Sequence, residues 1–341
     1  MKRMGIAALC LTAALLLSSC GGGGGTTSKT LGEIKKRGSL KCGVNPNLPG
    51  FSYVDAKGER QGFDIDFCRA LAAAIGVKAE FLPATAKDRF TQLQSGESDV
   101  LYRNTTITSS RDTKLGLDYA AVNYYDGQGF LVPKAKNYKS LKQLKGATIC
   151  VETGTTTEKN LSDWFRGNNL TFKALTFEGN DPTRQAYEAG RCDAYTTDAS
   201  GLAASRLVMK KPDDHAILPD IISKEPLGPM TRHGDNQWTD IVRWAYHAAL
   251  IAEEKGITQG NVEQLAKGSE DPEVKRMLGA TDTVGPDMGL PQDWAARAIK
   301  ASGNYGEIFE RNIGVNTPLK LARGLNNLWS KGGLQYAPPI R

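Results

Sequence analysis

Histidine is nearly missing from this chain: His215, His233 and His247 are the only three in 341 residues. With no His-Glu-x-x-His run among them, no His-based zinc cluster can be read, and no metal is expected. There is no Gly-x-Ser-x-Gly turn and no Ser-x-x-Lys pair at a helix start, so the usual signatures of nucleophilic acyl transfer are absent. Gly127-Gln128-Gly129 lacks the third glycine of a dinucleotide loop, and no cofactor is expected. The formal charge is +6, spread along the chain with no Lys/Arg-rich block carrying interleaved aromatics, which argues against nucleic acid as a partner. Long apolar runs are lacking too: Ile6 to Leu17 is too short to span a bilayer as a stable helix.

That short run follows Lys2 and Arg3 and precedes Leu17-Ser18-Ser19-Cys20, the layout of a secretion signal. Its end resembles a lipoprotein box, in which lipidated Cys20 becomes the new N-terminus and a membrane anchor. Residues 1–19 are therefore expected to be a signal peptide. Residues 20–37 are expected to hold the lipidated cysteine and a glycine-rich tether, in a periplasmic or otherwise extracytoplasmic setting. Four cysteines remain beyond Cys10 and Cys20, and an exported chain meets oxidising conditions. Cys42 ends one strand-like run and Cys68 lies on the apolar face of the following helix. Cys150 ends another such run and Cys192 precedes a further one. These placements predict Cys42–Cys68 and Cys150–Cys192, with free buried thiols as the alternative.

From Ser39 onward strand-like and helix-like segments alternate. Strands are predicted at Ser39–Val44, Lys78–Leu82 and Val100–Tyr102, with helices at Asp64–Ile75 and Asp88–Ser95. The order repeats from Ala147: strands to Cys150, at Thr171–Phe177 and at Ala194–Thr197, and helices over about Thr157–Arg166, up to Ala189, and from Ala199. Such alternation argues for parallel sheets wrapped by helices. Gln94-Ser95-Gly96-Glu97-Ser98-Asp99-Val100 is echoed by Glu188-Ala189-Gly190-Arg191-Cys192-Asp193-Ala194, which favours two similar α/β lobes. In open sheets of this kind ligands bind outside the carboxyl ends of the strands.

Three polar segments fall at such ends. Arg103-Asn104-Thr105-Thr106-Ile107-Thr108-Ser109-Ser110-Arg111 sets hydroxyl and amide groups between two guanidinium groups, donors suited to a small carboxylate. In Glu152-Thr153-Gly154-Thr155-Thr156-Thr157-Glu158, Gly154 allows a turn and the threonines open a helix whose free N–H groups suit an anion, with Thr155 or Thr156 as N-cap. In Tyr195-Thr196-Thr197-Asp198-Ala199-Ser200, Asp198 ends a strand and opens a helix, where a capping role competes with a ligand role. Together the three segments make a zwitterion receptor: arginine and amides for an α-carboxylate, aspartate for an ammonium.

The body from about Thr30 to Arg341 resembles the substrate-binding protein of polar or general L-amino-acid ABC uptake transporters, the type-2 periplasmic binding fold. The resemblance is carried by Cys42-Gly43-Val44-Asn45, Gly62-Phe63-Asp64-Ile65-Asp66 and the run from Arg103 to Arg111. It continues through Asn123-Tyr124-Tyr125-Asp126-Gly127-Gln128-Gly129, Gly154-Thr155-Thr156-Thr157, Gly190-Arg191-Cys192-Asp193 and Gly303-Asn304-Tyr305-Gly306-Glu307-Ile308. It implies a two-lobe clamshell, each lobe a mostly parallel sheet flanked by helices, joined by two hinge strands. Lobe one would comprise 38–125 plus 226–341 and lobe two 130–222, with hinge candidates at Tyr124 to Gly129 and Ser223 to Pro226.

By resemblance, Arg111 grips the α-carboxylate with help from Thr106 and the Thr155, Thr156 and Thr157 turn, and Asp198 holds the ammonium. Asn104 lies at the cleft edge. Asn45 stands where many relatives have aspartate, Leu48 replaces an aromatic lid, and Arg103 stands where a small hydroxyl residue is common and could reach an acidic or amide side chain. The implied partners are an L-amino acid with a polar, acidic or broad range of side chains and the permease of an ABC importer. The same fold also serves dehydratase-like enzymes, with Glu152 or Asp126 as candidate carboxylates, and ligand sensors. No catalytic residue is assigned. Residues 258–300 form a charge-rich insertion without an assigned role.

Overall fold

A computed structural model describes residues 28–281 and 283–341; Cys20 and the secretion signal lie outside them. The chain opens with α1 (Lys29–Arg37), capped by the Ser28 side chain and closed by a left-handed Gly38, which feeds directly into β1 (Ser39–Val44). A short hairpin, β2 (Tyr53–Val54) and β3 (Arg60–Gln61), leads to α2 (Phe63–Ile75). Helix α2 buries most of its length, from Phe63 through Ile65, Cys68 and Leu71 to Ile75, as its apolar spacing requires. Then come β4 (Lys78–Pro83), α3 (Arg89–Gln94), β5 (Val100–Tyr102), a single π-helical turn at Ser110–Lys114, and β6 (Leu117–Tyr119).

The chain leaves this region through β7 (Tyr124–Asp126) and enters β8 (Gln128–Pro133). A second α/β unit follows: β9 (Thr148–Glu152), α4 (Thr156–Gly167), β10 (Lys173–Phe177), α5 (Asn180–Glu188), β11 (Ala194–Asp198), α6 (Ala199–Leu207) and β12 (His215–Ile217). It returns through β13 (Glu225–Leu227) to β14 (Met230–Arg232). Five helices follow: α7 (Asn236–Glu254), α8 (Val262–Gly268), α9 (Pro272–Met277), α10 (Val284–Asp287) and α11 (Trp294–Ser302). α12 (Tyr305–Asn312) precedes an irregular C-terminal strap.

Two five-stranded sheets result, in the orders β4-β1-β5-β14-β6 and β10-β9-β11-β8-β12. The likeness is topological: in each, three strands pair in parallel, and the strand arriving after a crossing adds antiparallel to the third. Each sheet is thus mixed, parallel on the half that the alternating βα pattern builds. The crossings β7 and β13 pair antiparallel with each other, Glu225 facing Asp126 and Leu227 facing Tyr124.

Each sheet packs its own apolar core. The larger joins Leu40, Cys42 and Val44 of β1 to α2, to α7 through Trp238, Ile241 and Val242, and to α11 through Trp294 and Ile299. The 258–300 segment is therefore largely helical, and its last helix is wedged against α2. The second core is centred on Phe130, Ile149, Val151, Leu161 and Phe165. Both expected disulfides are present, Cys42–Cys68 with Cα atoms 6.4 Å apart and Cys150–Cys192 at 5.7 Å, the first tying β1 to α2 and the second tying β9 to the loop before β11. Among the described residues, no helix is long and apolar enough to cross a membrane.

Candidate ligand-binding site

The carboxyl ends of β5, β9 and β11 meet in a cleft between the two sheets. Tyr102 ends β5, so the chain turns at Arg103 and Asn104. Asn104 adopts a positive φ of 35° and donates its N–H to Asp64 Oδ2 at 3.1 Å. Asn45 Nδ2 donates to Asn104 Oδ1 at 3.1 Å. Asp64 is fully buried, and its carboxyl is pushed up to about 7 by desolvation, opposed by the Asn104 N–H and the charge of Arg103.

Arg111 lies on the π-helical turn, a rare local geometry that often marks functional sites. Its Nη1 donates to the Thr106 carbonyl at 2.6 Å, and its guanidinium stacks over Phe90 at 4.9 Å. Burial lowers it to about 10, against the opposing charges of Glu225 and Asp198. From the other sheet, Thr155 caps α4: its Oγ1 accepts from the Glu158 N–H at 3.1 Å. Thr156 bridges the cleft, its Oγ1 3.2 Å from that of Thr106, and donates to Glu225 Oε2 at 2.9 Å. Gly154 has φ +76°, and a Cβ there would lie 3.3 Å from the Ala86 carbonyl of the opposite lobe, so the turn closes tightly on its neighbour.

Of the two roles its position allowed, Asp198 does not fill that of helix cap. It precedes α6 yet makes no side-chain cap bond; it is 7% exposed, and its Oδ1 has no hydrogen-bond partner. Desolvation first, then the nearby carboxyls of Asp126 and Glu225, raise it well above the usual carboxylate range, while Arg89 and Arg111 oppose. Asp126 is likewise raised to about 6, mainly by burial.

A cavity of about 20 Å³ is lined by Arg89, Arg103, Asn104, Thr106, Glu152, Thr155, Thr156, Thr157, Asn180, Thr197 and Asp198. A neighbouring cavity of about 180 Å³ shares Arg103 and Asn180 with it and reaches Asn45, Asn47, Glu178 and Asp181. Of the residues expected from the sequence, Arg103, Asn104, Thr106, Thr155, Thr156, Thr157 and Asp198 meet at the first cavity and Asn45 at the second. Arg111 stands behind Thr106 and is absent from either lining. Arg89, Glu225, Asn180 and Thr197 were not singled out by sequence reasoning. Arg89 opens α3 and is 3% exposed, held well below its ordinary range by burial and by the neighbouring Arg111 and Arg103. Nothing in the local pattern of Asp88-Arg89-Phe90 distinguishes a buried arginine from a solvated one.

Residues 40–315 match the family of bacterial extracellular solute-binding proteins, family 3. The chain belongs to that family. This solute-binding protein is 57% identical over 320 residues to the general L-amino acid-binding periplasmic protein AapJ of Rhizobium johnstonii, covering 92% of this chain and 94% of that one. It is 55% identical over 318 residues to the glutamate/glutamine/aspartate/asparagine-binding protein BztA of Rhodobacter capsulatus, covering 92% and 94%. Its fold superposes with TM-score 0.89 on an ABC transporter periplasmic binding protein from Brucella ovis with glutathione bound, at 56% identity over 92% of this chain and 99% of that one. Both sheets and their crossings thus form the type-2 periplasmic binding fold.

Proposed function

We propose that this protein captures L-amino acids of polar, acidic or broad side-chain range by their zwitterionic head group and delivers them to the permease of an ABC importer. The observation that carries the reading is Asp198: a buried carboxylate with an unspent oxygen, beside the first turn of α4 in its own lobe and facing a cluster of buried arginines across the inter-lobe cleft. In such a site an ammonium relieves the cost of the buried carboxylate and a carboxylate relieves that of the guanidiniums, each contact strengthened by exclusion of water. Arg111, with Thr106 and the Thr155–Thr157 turn, takes the α-carboxylate; Asp198 takes the ammonium. Asn104, Asn45 and Arg103 face the side chain.

The names of AapJ and BztA, both amino-acid binders, support the substrate class, and the family supports a binding role rather than an enzymatic one. Lobe one comprises 38–125 with 226–341, and α1 (Lys29–Arg37), which falls in the stretch expected to be tether, packs into its core through Leu31 and Ile34; lobe two comprises 130–222, and the two are hinged at Tyr124 to Gly129 and Ser223 to Pro226. The mature protein is held at the membrane by lipidated Cys20, and its Leu17-Ser18-Ser19-Cys20 run is the support for that anchor. Mass spectrometry of the mature N-terminus tests it: an unmodified residue other than Cys20 there ends the claim.

A thermal-shift panel of the twenty amino acids tests the central reading, since a ligand that binds only the native state raises its melting temperature. Several polar amino acids are expected to raise it. A flat panel overturns the proposal, and turnover of a prephenate-like acid would favour the dehydratase alternative.

A further inference from the structure

Glu152, the last residue of β9, is 3% exposed, yet its Oε1 makes no hydrogen bond. Arg103 Nη2 stands 3.5 Å from that oxygen, and Arg103 is itself 3% exposed. The rest of its fork is committed elsewhere: Nε donates to the Ala84 carbonyl at 3.0 Å and Nη1 to Asn104 Oδ1 at 3.4 Å. The pair comes from opposite lobes, one member after β5 and the other at the end of β9. Both line the cavity beside Asp198, and Arg103 also lines the larger neighbouring one. The pair therefore borders the space beside Asp198 and, through Arg103, the larger one as well.

We infer that Arg103 and Glu152 form a donor–acceptor pair that selects side chains ending in a primary carboxamide over the corresponding carboxylates; the inference rests on the amino-acid reading above. A carboxamide presents a carbonyl oxygen that accepts from the guanidinium and an NH₂ that donates to Glu152 Oε1, so both unspent groups are satisfied at once. A carboxylate satisfies Arg103 alone and turns an oxygen toward Glu152, a like charge in a site shielded from water. An aliphatic side chain leaves the two groups to each other. A buried polar group left without its partner gives the discrimination its strength, as in sites built to hydrogen-bond one substrate and reject its analogue.

The test is calorimetric titration of the full mature protein with L-glutamine, L-glutamate and L-alanine, for the wild type and Glu152→Gln. In the wild type glutamine is expected to bind about tenfold or more tightly than glutamate, the worth of roughly one hydrogen bond to a charged group. Glu152→Gln removes the repelling charge, so the glutamate-to-glutamine ratio of Kd falls at least about tenfold while alanine, which carries only the head group, stays within about threefold. An unchanged ratio with alanine binding intact overturns the inference. Loss of all three ligands by the wild type overturns the amino-acid reading and this one with it, and so is distinguishable. Should Glu152→Gln fail to fold, the wild-type protein crystallised with L-glutamine decides: the carboxamide lies within hydrogen-bond distance of both Arg103 and Glu152, or the inference fails.

Discussion

At the scale of single residues, the site is a set of buried charges balanced against one another rather than against water. Asp198, Asp126 and Glu225 bring three carboxyls to one end of the cleft, and Arg89, Arg103 and Arg111 bring three guanidiniums. Asp198→Asn keeps the shape but removes the charge proposed to face the ammonium, and is expected to weaken amino-acid binding by about 2–5 kcal/mol, read by calorimetry; wild-type affinity in that variant would remove Asp198 from the site. The same chemistry sets a pH dependence. Burial raises Asp198 and holds Asp126 near 6, and a bound ammonium favours the charged carboxylate, so binding releases protons. Affinity is expected to weaken as pH falls from 8 to 5, and a flat profile would contradict it.

Asp64 affects stability instead. Its folded value near 7 lies above the ordinary 3.8, so the folded state holds this proton more tightly than the unfolded chain. The resulting stabilisation is complete below about pH 4 and is lost as pH rises toward 7. Asp64→Asn, which cannot titrate, is expected to make the fall in melting temperature across that window shallower.

At the scale of elements, most of what places these residues was readable, because each depended on local pattern. The apolar spacing of Ile65, Cys68, Leu71 and Ile75 predicts α2, and the structure extends it by one residue to Phe63. Asp198 was legible as a strand end, but whether it capped α6 or faced the cleft was not, since both roles follow a strand. The geometry settled it by leaving the helix N–H groups unbonded to its side chain. Glu225 and Arg89 escaped notice for a related reason: each meets the site only through pairing and packing between segments far apart in sequence. The irregular C-terminal strap was equally silent. Asn326 donates to the Tyr125 carbonyl at 3.1 Å and accepts from the Tyr125 N–H at 2.7 Å, pinning the crossing strand β7 from 201 residues away. Asn326→Ala leaves two backbone groups of β7 unpaired and is expected to cost about 1–3 kcal/mol of stability, measured by chemical denaturation.

At the scale of the whole molecule, the lobes are closed on one another. Thr106 meets Thr156, Asn47 Nδ2 donates to Asp181 Oδ2 at 3.1 Å, and Lys87 pairs with Glu178 at 2.5 Å at the mouth. The Asn47–Asp181 bond and the Lys87–Glu178 pair are both exposed, and the pair is screened by salt, so closure rests on the more buried contacts, Thr106 with Thr156 and Arg103 with Glu152. Gly127, between the crossing strand and β8, has Ile221 Cγ2 2.4 Å and the Ser223 carbonyl 2.9 Å from where a Cβ would sit. Gly127→Ala is expected to displace the neighbouring crossing and hold the lobes apart. Small-angle scattering should show a smaller radius of gyration with L-glutamine in the wild type and little change in this variant. Equal compaction in both would show that the crossing tolerates the methyl group.

The amino-acid sequence by itself determined the alternating elements, the strand-end placement of the polar segments and the pairing of the four cysteines. Each follows from periodicity, from neighbours in one βα unit as for Cys42–Cys68, or from strand ends as for Cys150–Cys192. Tertiary structure alone decided which charges face each other, because burial and opposition across the cleft arise from two lobes meeting. No local pattern encodes the low dielectric that turns Asp198 from a helix cap into an unpaired carboxylate, or the 3.5 Å approach of Glu152 to Arg103.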